Sequence, residues 1–236
     1  METVRPHHDR FKDAPWYPKE RINILVGGAG GIGSWTSLLL SRAGFSPLIY
    51  DFDSLELHNL GGQLYSKKMV GELKVDAIAN IIKDFSDEEI LTFNEKVDNN
   101  TPTHSYVIAA FDNMLARKQM FTSWYEHMAE NPDLRYKGIF IDGRLNAEQM
   151  WIYCIKGSDA EMCEKYISDC LFDDSEIEEA PCTFKQTSHA AAMIAAHITG
   201  FFTNHIVNVL EGDNSRAVPF SWEYFIPMDL LNVQNI

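Results

Sequence analysis

Gly28-Ala-Gly-Gly-Ile-Gly33 reads as G-x-G-x-x-G and follows directly on a short apolar run, Ile22 to Val26. Ser34 to Ala43 then alternates apolar and small residues at helical spacing, so the stretch reads as strand, glycine turn, helix. With no side chains at Gly28 and Gly30, backbone N–H groups come close to phosphate oxygens, and a helix starting near Ile32 adds the positive end of its dipole. The turn is therefore an anion site. A second strand, Leu48 to Asp51, ends in a carboxylate about 20 residues past the glycines, where a ribose hydroxyl is gripped in dinucleotide folds. Another carboxylate, Asp112, follows the apolar run Tyr106 to Ala110 and with Asn113 is expected to cap the next helix. That puts it too at the carboxyl edge of a strand, where open α/β sheets place their ligands. Glycine turn and Asp51 alone fit a nucleotide-dependent enzyme of several kinds, an NAD(P)-dependent oxidoreductase included.

Other elements must gather these residues into one crevice. A helical pattern from Val70 to Phe85 puts Val75, Ile78, Ala79 and Ile82 on one face and returns the chain across the sheet. Leu91 to Asn94 is a predicted third strand, and Met114 to about Met128 is a helix with Arg117 one turn in. Tyr136 to Asp142 is a strand, and Gln149 to Cys154 follows after a connection too short for a parallel crossover, so these two pair antiparallel. Ser158 to Leu171 is a predicted helix, Asp173 to Ala180 an acidic loop, and Ser188 to Leu210 a long apolar helix. Right-handed crossovers then give a Rossmann-like α/β fold: a doubly wound, mainly parallel sheet continued by antiparallel strands, with helices on both faces. Residues 1–20, punctuated by three prolines, read as an N-terminal arm bearing Arg5 and Arg10, and residues 21–236 as a single nucleotide-binding domain.

Bulk composition narrows the functions. The formal net charge of −14, with no basic patch against it, argues against nucleic acid. Cys154, Cys163, Cys170 and Cys182 contain no C-x-x-C pair, so neither a disulfide framework nor a structural zinc site is expected, and a reducing cytoplasm suits the chain. Residues at the N-terminus lack the apolar stretch of a secretion signal. The one span tempting as a membrane helix, Ala190 to Leu210, carries His197, Asn204, His205 and Asn208 and reads instead as a buried helix. His197 and His205 stand eight residues apart, which is not the spacing that puts two metal ligands on one helical face. Phe201, Phe202, Trp222, Tyr224 and Phe225 are expected to finish the core or a dimer contact.

Four motifs in order, Gly28 to Gly33, Asp51-Phe-Asp53, Asn59-Leu-Gly-Gly-Gln63 with Gly71-Glu-Leu-Lys74, and Asp112-Asn-Met-Leu-Ala-Arg117, give a sequence that resembles the ThiF/MoeB family, the bacterial relatives of ubiquitin-activating enzymes. The resemblance implies ATP-dependent adenylation of the C-terminal glycine of a small ubiquitin-like or sulfur-carrier-type protein by a homodimer with Mg²⁺. It implies that Gly28, Gly30 and Gly33 face the phosphates and Asp51 the ribose, with Gly31 and Asp53 also in the nucleotide site, and that Asn59 and Gln63 shape the phosphate loop. Lys74 would neutralise the phosphates and Asp112 hold magnesium. The family's loop has an arginine immediately before the glutamine, where this chain has Gly62. By resemblance Arg10 or Arg5 of the arm, reaching across a dimer, would supply the missing cation; a module that binds nucleotide without turnover is the other outcome of that departure. Cys182, with Lys185 and His189 close in sequence, stands about where the family places a transfer cysteine.

Overall fold

Residues 8–172 and 186–236 are described by the structure, a computed structural model. Its organising element is an eight-stranded sheet in the order β3-β2-β1-β4-β5-β6-β7-β8. The strands are β1 (Asn23–Gly27), β2 (Ser46–Tyr50), β3 (Leu91–Phe93), β4 (Tyr106–Ala109), β5 (Ile139–Asn146), β6 (Gln149–Lys156), β7 (Ser221–Phe225) and β8 (Leu230–Gln234). β3, β2, β1, β4 and β5 run parallel, and β6 to β8 continue the sheet antiparallel. From β1 the chain winds outward to β2 and β3, then returns to β4 on the other side of β1. A crevice opens where the winding reverses, outside the carboxyl ends of β1 and β4.

Alternation along the strands sorts side chains into two cores. Ile24 and Val26 of β1, Ile108 of β4 and Ile139 and Ile141 of β5 face α1 (Gly31–Arg42), α2 (Lys74–Ser86) and α5 (Ser188–Glu211). Leu25, Val107, Ala109 and Phe140 face α3 (Met114–Glu130) and α4 (Ala160–Lys165), with Phe121, Trp124 and Met128 of α3 fully or almost fully buried. α1 is covered nearly all round, by the sheet, by α2 and by α5, so it carries small residues: Ser34, Thr36, Ser37 and Ser41 are all inaccessible. α5 answers with Ala190, Ala191 and Ala195, also inaccessible. By length and composition α5 is apolar enough to cross a membrane, but half of its most apolar window is buried inside this fold, as a core helix would be.

Some boundaries differ from the sequence reading. α2 starts at Lys74 instead of Val70, because Gly71 has φ +98° and Leu73 is extended, which puts Lys74 in the first helical turn. Ser158 to Leu171 is not one helix: α4 gives way to a π turn, Tyr166–Cys170. β5 runs on to Asn146, leaving only Ala147 and Glu148 to turn the hairpin, with Ala147 at φ +55°. β7 and β8 were not anticipated as strands, although Trp222 does close the core, its ring 4.3 Å from that of His197. In the arm, Phe11, Trp16, Tyr17 and His8 cluster, and Trp16 meets Phe45 just ahead of β2.

His205 of α5 is buried beneath this layer, its Nε2 2.7 Å from the Lys137 carbonyl, and burial lowers its pKa to about 4. A folded state that resists protonation loses stability as pH falls from about 6.5 toward 4, because the unfolded chain binds the proton first. Urea unfolding at pH 7 and pH 5 is expected to show wild type losing about 2 kcal/mol more than His205→Gln.

Candidate functional site

The glycine turn is shaped by close backbone approaches. Gly28 has φ +93°, and a Cβ there would stand 2.7 Å from the Ala110 carbonyl oxygen. A Cβ on Gly33 would fall onto the carbonyl of Gly28 itself, so the first turn of α1 packs down on the end of β1. The amino end of α1 thereby points into the crevice with its free N–H groups.

Asp51, directly after β2, holds this turn in place. One carboxylate oxygen accepts the Ala29 N–H at 2.7 Å and the other accepts the Asp53 N–H at 2.8 Å. Burial pushes the Asp51 carboxyl up, opposed by the Lys74 charge and by those two backbone bonds. Asp53 in turn accepts from Lys74 Nζ at 2.6 Å, and its carbonyl accepts the Lys74 backbone N–H at 2.9 Å. Lys74 is nearly buried while Asp53 is half exposed, so the ammonium is delivered from beneath and the carboxylate partner is the movable one. Tyr65 completes the floor, donating to the Ala29 carbonyl at 2.6 Å.

The loop after β2 contributes two more expected residues. Asn59 accepts the Glu56 N–H at 2.8 Å through its side-chain oxygen and so fixes the loop's short 3-10 turn. Gln63 is 7% exposed; its Oε1 has no hydrogen-bond partner, and its Nε2 is the atom nearest to a Cβ built on Gly30, at 4.0 Å. Asp112 lies at the carboxyl end of β4, exposed, with a long hydrogen bond of 3.4 Å from Asn113 Nδ2. The cap of α3 is Asn113 alone, which accepts the Ala116 N–H at 2.9 Å and leaves the Asp112 carboxylate to the crevice.

Of the expected residues, the structure brings together Gly28, Gly30, Gly31, Gly33, Asp51, Asp53, Gln63 and Lys74, with Asp112 on the neighbouring strand end. Arg10 is not among them: it is exposed, in the turns whose aromatic residues pack toward Phe45, at the amino ends of the strands. Arg5, Cys182 and Lys185 lie outside the described residues. Among the described cysteines, Cys154, Cys163 and Cys170 are buried, and burial raises the thiols of Cys163 and Cys170 to about 11, which suits packing and not nucleophilic work. Among the described residues no group of three or more His, Cys, Asp or Glu is arranged to hold a metal ion.

A buried polar network escaped the sequence reading. Asp142, inaccessible in β5, pairs with Arg117 of α3 and with Arg144 Nη2 at 2.6 Å, and accepts from Tyr166 of the π turn at 2.9 Å. Burial pushes its carboxyl up, but the two guanidinium groups outweigh that and hold it below the usual range. Arg117 also donates to the carbonyls of Gly143 and Phe111, the second being the residue just before Asp112. Arg117 thus has a structural part here, tying α3 to β5 and to the segment before Asp112. The nearest sequence cue was Asp142-Gly-Arg144 ending an apolar strand, a charge pair with no reason to sit in a core unless a third charge met it.

Fold and crevice together define a Rossmann-like α/β domain with its glycine turn at the switch point of the sheet. The chain belongs to the ThiF family, whose model matches residues 19–229. It is 32% identical over 106 residues to the adenylyltransferase and sulfurtransferase MOCS3 of Culex quinquefasciatus, covering 42% of this chain and 24% of that protein. It is 35% identical over 98 residues to ubiquitin-like modifier-activating enzyme 5 of Drosophila persimilis, covering 40% and 23%. The matches thus take in about a quarter of those curated relatives' lengths. Among solved structures, PaaA superposes with a TM-score of 0.76 at 15% identity, over 100% of this chain and 75% of that one. MccB of E. coli with ATP gives 0.68 at 14%, over 99% and 71%. These two likenesses concern the fold.

Removing Arg117 strands the Asp142 charge with one arginine. Arg117→Ala is expected to cost on the order of 3 kcal/mol in urea unfolding, more than an exposed arginine such as Arg10→Ala, which should change it by less than about 0.5 kcal/mol.

Proposed function

We propose that this chain adenylates the C-terminal glycine carboxylate of a small ubiquitin-like or sulfur-carrier-type protein, using ATP with Mg²⁺, and that Cys182 accepts the activated acyl group as a thioester. One observation carries the reading: the glycine turn after β1, the Asp112 carboxylate after β4 and the buried Lys74 of α2, held by Asp53 just past β2, lie around the carboxyl edge of one sheet. Family membership supports it, as do relatives named adenylyltransferase and modifier-activating enzyme, and a fold neighbour solved with ATP.

In the adenylation step a carboxylate oxygen of the carrier bonds to the α-phosphorus while the bond from that phosphorus to the bridging oxygen breaks and pyrophosphate leaves. No proton moves, so positioning and charge neutralisation are the protein's task. The N–H groups at the start of α1 donate to phosphate oxygens, and Lys74 exchanges its Asp53 contact for them. Asp51 uses one lone pair of each oxygen on Ala29 and Asp53, which leaves each oxygen one more for a ribose hydroxyl. Asp112, a single exposed carboxylate, fits a cation that takes its other ligands from phosphate and water and would hold Mg²⁺. When bound, that ion neutralises charge gathering on the phosphates. Arg10 comes near a nucleotide only from a second copy of the chain, so the reading takes a homodimer. In transfer, the Cys182 thiolate attacks the acyl carbon and AMP leaves.

Exchange of labelled pyrophosphate into ATP, measured with a panel of purified β-grasp carriers ending in glycine, tests this. Exchange with at least one carrier is expected, falling at least about a hundredfold in Asp112→Ala. Exchange indifferent to that change removes the assignment. ATP binding with no exchange for any carrier marks the chain as a binding module.

A further inference from the structure

Gln186, two residues ahead of α5 and one before its N-cap Thr187, reaches the glycine turn. A Cβ on Gly31 would overlap its Oε1, and a Cβ on Gly62 would stand 2.7 Å from its Cγ and 3.0 Å from its Cδ. Two glycines, in segments 31 residues apart, thus leave a slot that one side-chain amide fills.

Fixed contacts build the slot. The Gly62 carbonyl accepts from Trp35 Nε1 at 3.3 Å, and the Gly61 carbonyl accepts from Ser188 Oγ at 2.8 Å, which fastens the start of α5 to the loop. Backbone pairing of Gln186 with Ala147, at the tip of the β5–β6 hairpin, sets the height at which the side chain enters. The floor of the slot is the amino end of α1, a twelve-residue helix. A second, independent feature points the same way: Gln63, more than nine-tenths buried and with its Oε1 unpartnered, turns its Nε2, the end that can donate, toward Gly30, 4.0 Å from a Cβ built there. Two amides therefore flank Gly30 and Gly31, in a place where backbone donors already favour an anion.

We infer that Gln186 is a nucleotide-contacting residue, whose side-chain amide donates a hydrogen bond to a phosphate oxygen held over the amino end of α1. The inference rests on the adenylation reading above. A rotation about the last, soft torsion of the side chain exchanges Oε1 for Nε2, so the group that shows oxygen to the turn shows N–H to a phosphate. An amide suits this place electrostatically. Lys74 stands there among the carboxylates of Asp51 and Asp53, and a neutral donor adds a bond to the phosphates without a further ion pair to break.

The test is ATP and adenosine affinity of the full chain by titration calorimetry, for wild type, Gln186→Glu and Gln186→Ala, with thermal unfolding alongside. Gln186→Glu places a carboxylate against the phosphates and is expected to weaken ATP on the order of tenfold, and Gln186→Ala about threefold. Adenosine affinity is expected to change by less than about twofold, because adenosine carries no phosphate. ATP bound by Gln186→Glu as tightly as by wild type overturns the inference, and so does an equal loss for ATP and adenosine, which marks a packing role. Wild type that binds no ATP overturns the adenylation reading itself, a result distinct from ATP binding indifferent to position 186.

Discussion

The whole crevice depends on one buried carboxylate. Asp51 accepts two backbone N–H groups, one from the glycine turn and one from the segment that carries Asp53, and so ties the end of β1 to the end of β2. Backbone donors cannot be aimed at an anion unless the loop bearing them is fixed, and a nine-tenths buried acceptor fixes it more firmly than an exposed one, where water competes. Because Asp53 then holds Lys74 by both side chain and main chain, the position of the ammonium follows from the same bond.

A second tie, independent of the first, governs the other wall. Arg117 reaches from α3 to the carbonyl before Asp112 and to the Asp142 carboxylate, which Arg144 and Tyr166 also engage. A buried charge pair is costly to assemble, and its worth lies in the geometry it enforces once every member is satisfied. Here it joins the carboxyl end of β4, the middle of β5 and the π turn. The Asp112 carboxylate is consequently presented from a strand end that is pinned on both sides.

Much of this could be read from the chain, and the reasons are local. The glycine turn is legible because its parts are contiguous: strand, turn and helix occupy residues 23 to 42. Asp51 and Asp112 are legible because each closes an apolar run that reads as a strand. What Asp51 does was only half legible, since the acceptor role toward Ala29 depends on the register of β1 against β2. Arg117 to Asp142 spans 25 residues and Gln186 to Gly31 spans far more, so no periodicity records either meeting. β7 and β8 were missed for a different reason: Trp222 and Tyr224 alternate with Glu223 in too short a run to separate from a loop, and β8 is exposed throughout. The late start of α2 turned on the positive φ of Gly71, which a helical pattern beginning at Val70 conceals.

Ala147 at the hairpin tip occupies left-handed backbone space, which an alanine enters at a cost of roughly 1 kcal/mol relative to glycine. Its own torsional preference therefore opposes the shape it is held in, and the pairing with Gln186 is among the restraints that keep it there. The hairpin tip therefore carries a small torsional strain at the very residue that meets Gln186, held by the pairing on either side of it.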